Sequence, residues 1–332
     1  MNLSSICLVI PYFGKLPNYF NLFLQSCAAN PTINWMIFTD NEENYDYPDN
    51  VKRISMTFSQ MQTRIQEKFD FPIVLHKPYK LCDYKVAYGY VFEEELQGYD
   101  FWGYCDVDML FGDLRGFLTQ DILNAYDKLG HLGHLTLFRN TKENNRLFMS
   151  AIDGRKRYKE VFSTPYICIF DEWQYPSINH IFFDNHRRVF LWDFIADIYP
   201  YDSYYRRVSW DVERQTSVFG KENCVVKWED GHAFLMWKKG GRWKEEEYLY
   251  IHLQKRKMKP NGLKSAKFFY AIPERFADAT EDLNHLYLIC RCKQVINIAR
   301  MKRALEGIKY WLIEKTGPVR HWFRDKWRKH YG

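Results

Sequence analysis

The 332-residue chain has no apolar stretch long enough to cross a bilayer. Its longest runs, such as residues 6–10, reach about a quarter of the roughly 20 residues that a spanning helix needs. No Lys or Arg precedes that first run, so the start does not read as a secretory signal, and the expected location is the cytosol. The eight cysteines, Cys7, Cys27, Cys82, Cys105, Cys168, Cys224, Cys290 and Cys292, include no C-x-x-C pair. That excludes the usual zinc and redox spacings and leaves them as reduced, mostly core residues. Zinc-finger spacing, an RNP-like aromatic motif and a helix-turn-helix pattern are also missing, so no nucleic-acid partner is expected. With 17 Gly, 12 Pro and no repeat or low-complexity segment, the chain is neither fibrous nor disordered. What it has in excess is aromatic: 24 Tyr, 25 Phe and 11 Trp make 18% of residues, more stacking surface than a core of this size requires.

The net charge of +6 is a property of the tail. Residues 291–332 hold 12 Lys/Arg against 3 Asp/Glu, which leaves residues 1–290 with 35 basic and 38 acidic side chains. In the tail, Val295, Ile298, Ala299, Leu305, Ile308, Trp311 and Leu312 recur at helical spacing among Arg300, Lys302, Arg303 and Lys309. Trp322 and Trp327 follow between further cations. This pattern suits peripheral contact of residues 291–332 with an anionic membrane at its inner face, and equally a basic helix packed on the body.

The body alternates short apolar runs with segments of helical spacing. Strands are expected at 5–10, 34–39, 51–58, 99–105 and 132–138, and helices at 17–29, 59–69 (capped by Ser59), 81–96 and 142–151. The β-α-β order predicts an α/β fold with a mostly parallel sheet and helices on both faces, with ligands beyond the carboxyl ends of the strands. From about residue 187 the pattern changes to short β segments at 188–194, 224–228, 232–238 and 247–253. Lys239-Gly240-Gly241-Arg242 supplies a two-residue hairpin turn. The expected division is a catalytic domain, 1–256, with halves of about 1–130 and 131–256, followed by a basic, mostly helical extension, 257–332.

Three polar clusters fall at strand ends: Pro11-Tyr12-Phe13-Gly14, Thr39-Asp40-Asn41 and Asp106-Val107-Asp108. An Asp-x-Asp tripeptide arises by chance about once in a chain of this length at ordinary Asp frequency. Here its position matters, because it follows a hydrophobic strand and precedes Met109-Leu110-Phe111, an apolar setting where two charges are costly without a cation. The pair offers hard oxygen ligands for Mg²⁺ or Mn²⁺, which in turn neutralises a diphosphate. The alternative is a pair of loop acids capping a helix near Asp113.

The arrangement resembles the GT-A glycosyltransferases, nucleotide-sugar enzymes in which an Asp-x-Asp follows a strand and a late His adds a metal ligand. Tyr250-Ile251-His252-Leu253-Gln254-Lys255-Arg256 supplies such a His at a strand end with cations beside it. With Lys77-Pro78-Tyr79-Lys80-Leu81-Cys82-Asp83-Tyr84 and residues 101–114, it is similar to an uncharacterised bacterial group associated with capsule and surface-polysaccharide synthesis, over roughly residues 3–260. It departs from the better-studied retaining families, in which the Lys after the His lies further along and follows a Gly, so the stereochemical course stays open.

The resemblance implies a GT-A-like, Rossmann-type fold and a site in which Asp108 binds metal, Asp106 binds metal or ribose, and His252 completes the metal set. Pro11, Tyr12 and Asp40 would contact base and ribose. Lys80 and Asp83, at a helix start, would lie near the nucleotide, or else form a surface ion pair, and the Lys255 region would stabilise the departing diphosphate. The implied partners are a nucleoside diphosphate sugar, with a UDP-sugar the expected donor, and a glycan or lipid-linked glycan acceptor. Glu172 and Asp171 break an apolar run and are candidates for the base that deprotonates the acceptor, with a helix N-cap before residues 173–178 as the alternative. Trp173 and Tyr175 are candidate sugar-stacking surfaces. Two other functions fit less of the pattern: a nucleotidyl- or polyol-phosphate transferase, and a non-catalytic glycan-binding protein.

Overall fold

The structure, a computed structural model, describes residues 3–173, 175–198, 204–211, 216–254, 258–260, 263 and 265–293. Strands β1 (Ile6–Pro11), β2 (Ile33–Thr39), β3 (Val51–Ser55) and β4 (Phe101–Cys105) lie in the order β3-β2-β1-β4, all parallel. Strand β5 (Met109–Phe111) follows almost at once but joins a second sheet. Strands β6 (Lys128–Leu129), β7 (Leu135–Arg139) and β8 (Val189–Phe190) complete the first sheet, with β7 antiparallel to β4 and to β6, and β8 parallel to β6. The fold is therefore α/β with a mostly parallel sheet.

Alternation along the central strands explains why they read as continuous apolar runs. In β1, Ile6, Leu8 and Ile10 enter one core with Phe20 and Phe23, while Cys7 and Val9 enter the other with Met61 and Ile65. In β4, Phe101 and Cys105 point to the first core, and Trp102 and Tyr104 to the second. Helix α1 (Phe20–Ala28) supplies the Phe pair on one face, and α2 (Phe58–Gln66) supplies Met61 and Ile65 on the other. Each such fully buried side chain contributes about 1.5–3 kcal/mol. Gly103 sits in β4 because a Cβ there would run into the Thr136 carbonyl of β7. Helix α2 starts one residue earlier than its apolar pattern suggests. Its cap is Thr57, not Ser59, in a reciprocal arrangement with Gln60 (Gln60 N–H to Thr57 Oγ1 3.2 Å, Thr57 N–H to Gln60 Oε1 2.7 Å).

The expected helix over 81–96 is instead a 3₁₀ helix, Pro78–Ala87, followed by one α turn, Tyr88–Val91. With three residues per turn, side chains at i and i+3 eclipse. One ridge carries Tyr79, Cys82, Lys85 and Tyr88 towards a cavity, while Lys80 and Asp83 lie on another, fully buried.

The later strands are β9 (Ile195–Ile198), β10 (Tyr205–Asp211), β11 (Thr216–Phe219), β12 (Val225–Glu229), β13 (His232–Lys239), β14 (Arg242–Tyr248), β15 (Tyr250–His252), β16 (Lys259–Pro260), β17 (Phe268–Ile272) and β18 (Arg275–Asp278). The second sheet runs β11-β10-β9-β15-β5, in which β15 pairs in parallel with β9 and antiparallel with β5. The third runs β14-β13-β12-β17-β18-β16. The β13–β14 hairpin turns at Gly240 and Gly241, both at positive φ (59° and 76°), as the Gly-Gly pair predicts. The third sheet crosses the expected boundary at 256/257: β17 and β18 pair with one another and β17 with β12, so the start of the expected helical extension is β structure. Helix Leu283–Lys293 follows. The tail pattern from residue 294 onward lies outside the described residues. No helix among the described residues is long and apolar enough to cross a membrane.

Candidate active site

The loop between β4 and β5 carries Asp106, Val107 and Asp108 to the carboxyl end of the parallel sheet. Two backbone bonds fix it: Asp106 N–H donates to the His134 carbonyl (2.9 Å), and Leu253 N–H donates to the Asp108 carbonyl (2.8 Å). The second ties the loop to the end of β15, where His252 lies opposite Met109 across the sheet. As a result, one ligand atom each from Asp106, Asp108 and His252 falls within a 4.8 Å cluster. His252 Nε2 is 3.5 Å from Asp108 Oδ2, and its Nδ1 is 3.2 Å from Asp197 Oδ1 on β9. The ring of His134 packs against that of His252, with centroids 3.7 Å apart.

The chemistry of this donor set fits a hard divalent cation. Two carboxylates and an imidazole converge, and Asp108 and His252 are at most 7% exposed. Burial pushes the His252 imidazole pKa down, but Asp197 and then Asp108 hold it well above its ordinary value. Burial, and then His252, push His134 down to about 4, so His134 is neutral near pH 7.

Beside the acidic pair stands a cation that the sequence reading did not single out. Lys85 Nζ is 2.8 Å from Asp106 Oδ1 and 3.4 Å from Asp171 Oδ2, and it donates to the Gly133 carbonyl at 2.8 Å. Burial opposes its charge, yet Asp106 and Asp171 keep its pKa well above the usual lysine value. Burial raises Asp171 to about 7, against the pull of Lys85 and with a further push from Glu172. Glu172 is raised as well, chiefly by burial. Gly133 makes this crowding possible, because a Cβ there would lie 2.5 Å from Asp171 Oδ2 and 3.1 Å from Glu172 Cγ. The N-cap alternative for Asp171 and Glu172 fails, because the next helix begins at Ile178 with Ser177 as its N-cap.

All these groups except Gly133 and Asp197 line one cavity of about 1480 Å³. Pro11 and Tyr12 line it too, at the end of β1. Asp40 does not: it is exposed, and its Oδ1 accepts the Gly14 N–H at 2.7 Å, shaping the 11–14 loop from outside. Lys80 and Asp83 are also absent from the cavity wall. They form a pair 2.7 Å apart, both with fully buried side chains, and not a surface pair. Lys80 Nζ donates to the carbonyls of Val161 (3.0 Å) and Tyr166 (2.5 Å), while Asp83 accepts from the N–H groups of Cys168 (2.9 Å) and Phe170 (3.2 Å). The pair thus fixes the segment that delivers Asp171 and Glu172. Trp173 packs on Trp210 (4.3 Å between centroids) and Tyr175 is bonded to Asp153; neither lines the cavity. Lys255 lies outside the described residues.

Lys85, His134 and Asp197 escaped the sequence reading for different reasons. Asp197 carried the same signal as the Asp-x-Asp pair, a lone acid inside an apolar run, Phe194-Ile195-Ala196-Asp197-Ile198. Lys85 is two residues past Asp83, and only the three-residue period of the 3₁₀ helix turns it to the cavity. His134 had no local signal, since the β4–β7 pairing alone brings it beside Asp106.

No curated protein matches the chain. Among solved structures, the galactosyltransferase LgtC in complex with donor and acceptor sugar analogs is similar at TM-score 0.34 and 11% identity, over 57% of this chain and 75% of that one. An active-site mutant of LgtC is similar at TM-score 0.34 and 12% identity, over the same shares. At the level of sequence families the match is direct and spans β1 to β18: over residues 8–280 the chain belongs to a family of unknown function, DUF6625.

Proposed function

We propose that the protein is a metal-dependent glycosyltransferase that moves a sugar from a nucleoside diphosphate sugar to a glycan or lipid-linked glycan. The observation that carries this reading is the convergence of Asp106, Asp108 and His252 within 4.8 Å at the wall of a large cavity beyond the parallel strands. Those three residues would hold Mn²⁺ or Mg²⁺, and the cation would supply charge neutralisation for a departing diphosphate.

The chain's own residues account for the rest. Tyr12 and Pro11, at the end of β1, face the space a base and ribose would fill. Lys85 brings a fixed positive charge to the floor beside Asp106, where it orients Asp106 and offers a donor to sugar or phosphate oxygens. Asp171 is buried beneath Lys85 and anchors it. Glu172 is half-buried at the same wall, with a raised pKa, and is the better placed of the two to take a proton from an acceptor hydroxyl. A UDP-sugar donor, a role in bacterial surface-polysaccharide synthesis and peripheral contact of residues 291–332 with an anionic membrane complete the reading.

A nucleotide-sugar panel with Mn²⁺ tests it. Release of a nucleoside diphosphate is expected, and Asp108→Ala should fold, by circular dichroism, yet lose that turnover. Full turnover in Asp108→Ala would sink the role given to the pair. Release of a monophosphate or pyrophosphate would identify a nucleotidyl- or polyol-phosphate transferase instead.

A further inference from the structure

We infer that Asp197 is a positioning residue: it holds the His252 imidazole with Nδ1 turned inward to its own carboxylate, so that Nε2 is presented to the cation site. This rests on the metal-site reading above.

Asp197 and His252 are register partners on the parallel strands β9 and β15. Asp197 is 4% exposed in a strand otherwise made of Ile, Ala and Ile, where a carboxylate is costly unless donors surround it. Donors do surround it. The Ile198 N–H reaches its Oδ1 at 2.6 Å, Gln254 Nε2 reaches its Oδ2 at 3.1 Å, and His252 Nδ1 lies 3.2 Å from Oδ1. Gln254 is the second residue after His252 and adopts φ 49°, a left-handed conformation unusual for a side chain of its kind, at the point where its amide turns back to Asp197. Two residues of one strand end thus grip the same buried carboxylate.

The imidazole stands between two acids, with Asp197 on Nδ1 and Asp108 on Nε2. Asp108, His252, His134 and Gln254 line the cavity, and Asp197 does not. It therefore acts from behind His252 and not on a substrate. The His134 ring against one face of His252 restricts its rotation, which leaves the partner of Nδ1 to decide which nitrogen faces out. Such a carboxylate behind a ligating imidazole fixes the tautomer and strengthens the ligand, and its loss costs about 10–100-fold in metal affinity. A cation at Nε2 would require that nitrogen to be free of a proton, which would leave the imidazole proton on Nδ1, facing Asp197 at 3.2 Å.

The test is a Mn²⁺ titration of the full chain without nucleotide, with free Mn²⁺ followed by electron paramagnetic resonance. Asp197→Asn and Asp197→Leu should bind about 10–100-fold more weakly than wild type. Gln254→Ala, which leaves the carboxylate but removes its Oδ2 donor, should shift affinity the same way by less. In the Mg²⁺-saturated protein, ¹⁵N spectra of His252 should show a protonated Nδ1 and a bare Nε2, a preference that Asp197→Leu loses. Circular dichroism without metal checks that each variant folds. Affinity within twofold of wild type in both Asp197 variants, with Asp108→Asn impaired, overturns the inference and leaves the metal site standing. Loss of all binding in Asp197→Asn, as deep as in Asp108→Asn, overturns it by making Asp197 a ligand. Equal binding by wild type and Asp108→Asn overturns the metal-site reading, and the inference with it.

Discussion

Replacing Lys85 with Met removes a cation that, alone among the described residues, pairs with both Asp106 and Asp171, while keeping most of the side-chain volume. Removing one partner of a buried pair ordinarily costs about 3–5 kcal/mol, because the remaining charge is stranded. Here Asp171 has an escape. Its pKa is already about 7, raised by burial and restrained by Lys85, so near pH 7 it can take up a proton at little cost. Without Lys85 the restraint is gone and the Asp171 pKa rises further. The sign follows from proton counts. Between the wild-type pKa and the higher mutant value, the folded mutant keeps a proton that folded wild type has released, so mutant stability falls faster as pH rises, by up to about 1.4 kcal/mol per pH unit. Below pH 6 the two proteins should differ by a constant amount. From pH 7 to 8.5 the gap should widen by about 2 kcal/mol, measured as the free energy of unfolding in urea at each pH. A gap that stays flat from pH 6 to 8.5 would refute the placement of Lys85 over a buried, titrating Asp171.

Gly133→Ala puts a Cβ where Asp171 Oδ2 and Glu172 Cγ now sit, and should destabilise by about 1–3 kcal/mol and reduce donor turnover; wild-type values for both would refute the crowding described there. Lys80→Met strands Asp83 in a fully buried position and should lower unfolding stability by about 3–5 kcal/mol, a loss to be read by urea melts, with a loss below 1 kcal/mol counting against the pair as an anchor of 161–170. For the basic tail, deletion of residues 294–332 should reduce flotation with anionic liposomes at low salt, and unchanged flotation would argue against membrane contact.

The parallel half of the first sheet was legible in the sequence because its signal is local. A strand buried on both faces must be apolar at every position, and residues 6–10 and 101–105 are. The same logic made Asp106 and Asp108 visible, since two acids interrupting such a run need a reason. It applies equally to Asp197, a single acid inside the apolar run Phe194-Ile195-Ala196-Asp197-Ile198, though one acid is a weaker signal than a pair. Lys80 and Asp83 show the limit. Their charge is written in the sequence, but which way they face depends on a helical period of three residues per turn, and hydrophobic spacing does not resolve that over ten residues. The strands after residue 257 were hidden for another reason: Phe268–Ile272 is a strand because β12 offers it an edge, not because of a strong alternation of its own.

By itself the sequence determined that the chain folds as α/β, that a carboxylate pair ends a buried strand, and that a late histidine follows another, because each property is written in adjacent residues. Tertiary structure alone decided that Asp108, His134, Asp197 and His252 meet. They come from four strand ends far apart in the chain, and their meeting depends on sheet order and register, in which a shift of one residue would turn each side chain to the opposite face.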